Sequence, residues 1–198
     1  MIEESPSELP PPMSIRRRLL LGVLGAGIIA GGFVGTQVIY AAIVPPPIDA
    51  GRPFDEQVEP FTSAEDGFTA SFPSAPDVQS TVQQVGELSI PITVYTAGTA
   101  TEQFAVTAAE LPAAVIEQDL DTFLTGSLEG AASGAGVELT GPSFTTLGGE
   151  RALTGTMTVH DVTVHVTMAL HDRVQLLVSV VTDNAATADA FVRTFSFD

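Results

Sequence analysis

From Leu19 to Val44 the chain runs for 26 residues without a charged side chain. As a helix rising about 1.5 Å per residue, such a run reaches about 39 Å, enough to cross the roughly 30 Å hydrocarbon layer of a bilayer with some tilt. An ionised group near mid-bilayer is costly, and this run holds none. Arg16, Arg17 and Arg18 stand before it; Pro45, Pro46 and Pro47 stand after it, followed mostly by acids. Basic residues stay on the cytoplasmic side. The expectation is therefore a single-pass protein of the cell membrane with its N-terminus cytoplasmic and its C-terminal domain extracytoplasmic. Tyr40 falls near the outer interface, where an amphipathic ring is favoured.

A cleaved signal peptide competes with this reading. Residues Ser14 to Leu20 resemble a twin-arginine signal, and the glycine-rich stretch behind them fits one. Against it, a signal core spans about 7–15 residues and ends in small residues at the cleavage point. The run here is longer, and cleavage near Ala41 and Ala42 would put Ile39 or Tyr40 at the upstream recognition position. A retained anchor is the expectation. Gly27, Gly31 and Gly35 recur every four residues along one helix face. They allow close backbone approach and a helix-mediated homodimer, though ordinary membrane helices are also rich in glycine.

The anchor divides the chain into a disordered cytoplasmic tail (1–18), the transmembrane helix (19–44), a Pro- and acid-rich linker (45–65) and an extracytoplasmic domain (66–198). The last part is near the commonest domain size and long enough to bury a core. There is no Cys, which excludes disulfides, thiolate metal sites, a Cys nucleophile and a lipid-bearing Cys. Of the cations there is no Lys, and three of the seven Arg lie before residue 19 with three acids; the formal charge of −17 therefore belongs to the remainder. Such a surface repels phosphate backbones, so nucleic acid is excluded as a partner.

Within the domain, short alternating runs alternate with Gly and Pro. Gly67–Phe72, closed by Pro73, reads as a first strand, and residues 78–85 as a second. Leu88, Ile90, Ile92 and Val94 recur at period two, with Pro91 pointing to a sheet edge. Phe104, Val106 and Ala108 mark another strand, ended by Leu111 and Pro112. The period then changes: Leu120, Phe123, Leu124 and Leu128 follow helical spacing. Glu117, Asp119 and Asp121 sit at the start of that helix, where acids cap free N–H groups, and Gly134 and Gly136 sit at its end. Strand patterns return at 137–147, 150–160 and 162–170. Residues 174–182, apolar on both faces, predict a central strand. Asp183 and Asn184 can cap a last helix carrying Ala188, Phe191, Val192 and Phe195 on one stripe. The predicted fold class is α+β: an antiparallel sheet with a mid-chain helix and a C-terminal helix packed on it, preceded by one transmembrane helix.

Three features carry a family resemblance: Gly67-Phe68 with Phe72-Pro73, the helix around Leu120–Leu128, and the ending Ala190-Phe191-Val192-Arg193-Thr194-Phe195-Ser196-Phe197. Over about residues 66–197 the chain resembles the PsbP-like family, whose fold is an α/β/α sandwich. The lack of Lys resembles the habit of bacteria rich in G and C, actinobacteria in particular. The family resemblance brings no catalytic residues with it and implies a binding or assembly role.

The residues themselves nominate no catalytic, cofactor-binding or metal-binding side chain and no cofactor. His160 and His171 fall at opposite ends of one strand, about 36 Å apart at about 3.3 Å per residue, too far to share a metal. His165 lies on the Thr-rich face between them. Glu117, Asp119 and Asp121 lack the glycine turn and distal bidentate Glu of a calcium loop, so helix capping explains them better. Gly148-Gly149 before Glu150-Arg151 reads as a hairpin turn. Arg151, Arg173 and Arg193 are expected in intramolecular ion pairs rather than holding a ligand carboxylate. The expectation is a membrane-anchored binding or assembly module of the cell envelope with an envelope protein as partner, and a non-enzymatic role. A wall-associated hydrolase or other envelope enzyme would need acids, or His with acids, converging in one cleft. A sensor arm would have to signal through the short tail.

Overall fold

The computed structural model describes residue 54 and residues 60–85, 88–99, 101–116, 119–159 and 162–198. The tail, the Leu19–Val44 run with Gly27, Gly31 and Gly35, most of the linker, Glu117, His160 and Asp161 lie outside the described residues. Among the described residues no helix is long and apolar enough to cross a membrane.

The strands are β1 (Phe61–Ser63), β2 (Phe68–Ala70), β3 (Asp77–Val85), β4 (Leu88–Gly98), β5 (Gln103–Glu110), β6 (Leu139–Leu147), β7 (Glu150–Val159), β8 (Val162–His171), β9 (Val174–Val181) and β10 (Ser196–Phe197); helix α1 (Leu120–Gly134) follows β5, and helix α2 (Ala185–Arg193) follows β9. Seven strands form one sheet in the order β3-β4-β5-β9-β8-β7-β6, and β1-β2-β10 form a small second sheet. Every pairing is antiparallel. The fold class is the α+β class that the periodicities predict.

The sequence Val-Gln-Leu-Leu-Val-Ser-Val-Val of β9 explains the architecture. It is buried from Gln175 through Val180 and lies fourth of the seven strands. Successive strand residues point to opposite faces, so a strand apolar on both needs a covering layer on each. On one face Leu177 meets Phe123, Leu124 and Leu128 of α1, together with Leu153, Met157, Val164, Val166 and Met168. On the other face Leu176, Val178 and Val180 meet Ala188 and Phe191 of α2, with Phe68 and Phe72 from the small sheet and its edge. The result is an α/β/α sandwich, with the helices on opposite faces of the large sheet.

Local signals set the helix limits. Asp119 Oδ1 accepts from the Thr122 amide at 3.0 Å and caps α1. At its other end Gly136 turns left-handed, at φ 69°. The amides of Gly136 and Val137 there donate to the carbonyls of Ser133 and Ala132, satisfying two of the orphan acceptors of the last turn. Asn184 Oδ1 accepts from the Ala186 amide at 3.1 Å and caps α2. That helix stops at Arg193, two residues before Phe195, because the Thr194 hydroxyl donates back to the Phe191 carbonyl at 2.7 Å and accepts from the Ser71 amide at 3.0 Å. Phe195 is buried all the same, stacked on Phe68.

Two expectations change. The Pro- and acid-rich linker was expected to run to residue 65, but β1 lies inside it and pairs Phe61 with Ala70. Phe54 also belongs to the core, with ring centroids 5.0 Å from Phe104 and 5.7 Å from Phe191. Buried aromatic area outweighs the polar composition around these two rings. The second change concerns Pro91, which pointed to β4 as an edge. The edge strand is β3, and β4 lies between β3 and β5. Proline is tolerated because the β4–β5 ladder ends at the Ile92–Ala109 pair, so on that side no partner awaits the missing N–H.

The turn between β6 and β7 is Gly148-Gly149, at φ 58° and 95°. Such values suit the two-residue hairpin turn that the sequence predicts. At Gly148 there is a second requirement: a methyl group would sit 2.7 Å from Cδ2 of Phe197 on β10. Gly148→Ala is therefore expected to cost about 2–3 kcal/mol, the sum of left-handed strain and overpacking. Gly149→Ala, with open space around it, should cost only about 1 kcal/mol. Urea unfolding of the two variants checks the ranking, and equal losses would mean that the contact with Phe197 is unimportant.

Candidate functional site

The small sheet lies over one end of the large one, and ionisable side chains gather there. Three residues form a closed hydrogen-bonded loop. Tyr95 projects from β4 on the face opposite Val94. Its hydroxyl donates to Asp66 Oδ2 at 2.5 Å. With its one proton used, Tyr95 accepts from Ser63 Oγ at 2.7 Å. Ser63 Oγ in turn accepts from the Asp66 amide at 3.2 Å. Asp66 occupies the turn between β1 and β2, followed by left-handed Gly67 at φ 66°. The loop thus ties the small sheet to β4.

Electrostatics follow from this placement. Burial holds the Asp66 carboxyl above the usual carboxylate range; the Tyr95 hydrogen bond works in the opposite direction, and Glu65 and Glu110 add a smaller upward push. Burial, with the hydrogen bond to Asp66, also raises the Tyr95 hydroxyl well above its ordinary value. Tyr95 therefore remains a neutral donor throughout the physiological range.

His171 lies at the end of β8 on the same face. Its ring stacks on Phe197 with centroids 4.5 Å apart and planes 8° from parallel. Its Nδ1 is 3.1 Å from Glu150 Oε1. Next to it Asp172, at φ 52°, makes the tight turn into β9. Arg173 in that turn donates to Glu110 Oε1 at 2.5 Å, and its carbonyl accepts from the Leu111 amide at 2.8 Å.

The residues weighed from the sequence occupy separate places. His165 and His171 stand six positions apart on β8, about 20 Å at about 3.3 Å per residue. Asp119 caps α1. Asp121 forms a two-pronged ion pair with Arg151, whose guanidinium also lies over the Phe144 ring, 4.2 Å from its centroid. That pairing holds the exposed Asp121 carboxyl below its ordinary value. Arg151 and Arg173 thus have the intramolecular carboxylate partners expected of them. Arg193 lies in the last turn of α2, where a cation suits the helix dipole. Among the described residues no three His, Asp or Glu converge as metal ligands.

The Ser63–Asp66–Tyr95 loop was not visible in the sequence. Tyr95 breaks no pattern in β4, because the alternation of Ile90, Ile92 and Val94 draws attention to the other face. Asp66-Gly67 signals a turn but not what the carboxylate meets.

At the opposite margin from β6, strand β3 leaves two apolar side chains in solvent: Val78 is 47% exposed and Val82 58%. Val78 lies opposite Tyr95 and Val82 opposite Pro91.

This geometry is a PsbP-like fold. No family model matches the chain, and no curated protein does. Among solved structures it is similar to cyanobacterial PsbP (CyanoP) from Synechocystis sp. PCC 6803, with a TM-score of 0.52 and 11% identity over 75% of this chain and 97% of that one. The likeness at that identity is one of fold.

Two measurements probe the loop. Tyr95→Phe removes a donor from a half-buried carboxylate and an acceptor from Ser63, and is expected to cost about 1–3 kcal/mol in urea unfolding. A loss near zero would show that the loop bears no weight. A raised carboxyl pKa in the folded state gives stability that is present below the unfolded value and lost as pH rises through the folded one. The unfolded value is near the ordinary 3.8. Relative to Asp66→Asn, the unaltered chain should therefore lose stability from about pH 4 upward, until the folded group is fully ionised. A difference that stays constant between pH 3 and pH 7 in thermal melts would contradict this.

Proposed function

We propose that this chain is a membrane-anchored, extracytoplasmic binding or assembly module of the cell envelope. The observation that carries the reading is the uncharged Leu19–Val44 run with Arg16, Arg17 and Arg18 on one side and the whole formal charge of −17 on the other. Positive residues hold the start of such a run inside, and the acidic domain follows it out. With no Cys for a lipid anchor, the apolar run itself is the means of attachment.

A binding role is favoured over catalysis by how the polar groups are used. Asp66 and Tyr95 are committed to each other, His171 to Phe197 and Glu150, and Arg173 to Glu110. The Asp66–Tyr95 and His171–Phe197 contacts fasten the small sheet to the large one, and the Glu150 and Glu110 pairs brace neighbouring strands of the large sheet. A catalytic centre would instead converge a nucleophile, its hydrogen-bonded base and an oxyanion donor on one reacting atom.

Fractionation of cells expressing the full chain tests the anchor. The protein should pellet with membranes and resist carbonate extraction. Protease added to intact spheroplasts should degrade the domain, while inverted vesicles should protect it. A soluble product shortened near residue 42, or digestion only from the cytoplasmic side, would reject the topology. Crosslinking in intact cells should then capture an envelope protein. Recovery of the chain without any envelope protein attached would reject the binding role.

A further inference from the structure

The two margins of the large sheet are built differently. At one end β6 is irregular between Thr140 and Ser143, and this stretch holds left-handed Gly141 and Pro142. A bulge with a proline blunts an edge against strand addition. At the other end β3 pairs with β4 through nine consecutive residues with no break in register. It contains no Pro, Gly, Lys or Arg, and Asp77 at its start is its sole charge. In a chain of formal charge −17, a nearly neutral nine-residue margin is where another acidic surface can approach at least electrostatic cost.

The order of residues along β3 names the occupant. Val78, Ser80 and Val82 lie on one face, opposite Tyr95, Thr93 and Pro91 of β4. Turned antiparallel onto a copy of itself about Ser80, the strand sets Val78 against Val82 of the copy and Val82 against Val78. Each exposed valine then covers the other. On the opposite face Gln79 meets Thr81 and Asp77 meets Gln83, so no like charges face each other. The two Asp77 fall at opposite ends, about 20 Å apart along the strands, well beyond the screening length of about 8 Å at physiological salt. Centring on Thr81 instead would set Val78 against Gln84 and Val82 against Ser80, leaving both valines without an apolar partner.

We propose that β3 pairs antiparallel with β3 of a second copy of this chain, about a two-fold axis at Ser80, joining two seven-stranded sheets into one. The contact is isologous, as a two-fold requires. It uses only the described domain and holds whether or not the apolar run stays attached. A single strand pair falls short of the roughly 1,200 Å² of a stable interface, so the association is weak and best observed by trapping it.

The chain lacks Cys, so an introduced one is unambiguous. Ser80→Cys is the first test, in the full chain and in whichever cell fraction holds it. Opposed residues of an antiparallel pair have Cα atoms about 4.5–5.5 Å apart, inside the window for a disulfide. Mild oxidation should give a homodimer at least about tenfold faster than with Ser133→Cys, an exposed position on α1, because proximity raises the effective thiol concentration. Copies carrying Val78→Cys mixed with copies carrying Val82→Cys should link to one another. Neither should link to itself, since like positions are offset by four residues, about 13 Å. Adding Val82→Glu to the Ser80→Cys chain should abolish the homodimer while leaving the circular dichroism spectrum unchanged. The proposal is overturned if Ser80→Cys links no faster than the control. It is equally overturned if the linked product contains a different protein, if Val82→Glu leaves linking intact, or if Thr81→Cys links in place of Ser80→Cys.

Discussion

Strand β9 must be covered on both faces, and the rest of the molecule answers that requirement. Leu176, Val178 and Val180 point one way and Leu177 the other, and all four are buried. Full burial of each such side chain is worth about 1.5–3 kcal/mol, gained only if a layer of matching apolar surface arrives from elsewhere in the chain. On one side α1 supplies it. On the other, α2 is too short to do so alone, and the small sheet completes the layer. The position of β9 between β5 and β8 follows as well, since an edge would waste one of its buried sides.

The second covering layer is assembled from distant pieces, and aromatic side chains hold it together. Phe191 of α2 contacts Phe54, Phe72, Phe104 and Phe195 with ring centroids between 5.0 and 5.7 Å. Phe61, Phe68 and Tyr95 extend the cluster beneath the small sheet. Polar fastenings lie around this apolar centre: the Ser63–Asp66–Tyr95 loop at one point and the His171–Phe197 stack with Glu150 at another. Short strands of two or three residues have little stability of their own. Their placement depends on the rings beneath and the hydrogen bonds at the margin.

The charge distribution bears on what this surface can meet. An acidic domain without Lys repels its own kind and other anions over most of its exterior. The ion pairs of Arg151 and Arg173 consume two of the few cations, which leaves the acids in excess. Nearly neutral β3 stands out on this background, at the opposite margin of the sheet from β6 with its bulge and proline. The contrast between the two margins makes β3 the natural place for a partner strand.

Much of the local structure was legible in the sequence. The change from period two to helical spacing at Leu120 marked α1, Asp119 and Asn184 announced the caps, Gly148-Gly149 announced a hairpin, and the doubly apolar 174–182 announced a central strand. These signals act over a few residues, so the chain displays them in order. Three things required the tertiary structure. Phe54 and Phe61 sit among acids and prolines, and only contacts with residues such as Phe104 and Tyr95 draw them into the core. Pro91 was compatible with an edge, but the length of β5 settled which side lacks a partner. The meeting of Asp66, Tyr95 and Ser63 depends on how the small sheet is laid over the large one. Local sequence determined the long strands, the helices and the turns; the summed burial of the whole chain decided that Phe61–Ser63 becomes a strand, which strands are neighbours, which face each helix covers and which polar groups touch, because those choices are made between segments that carry no local mark of one another.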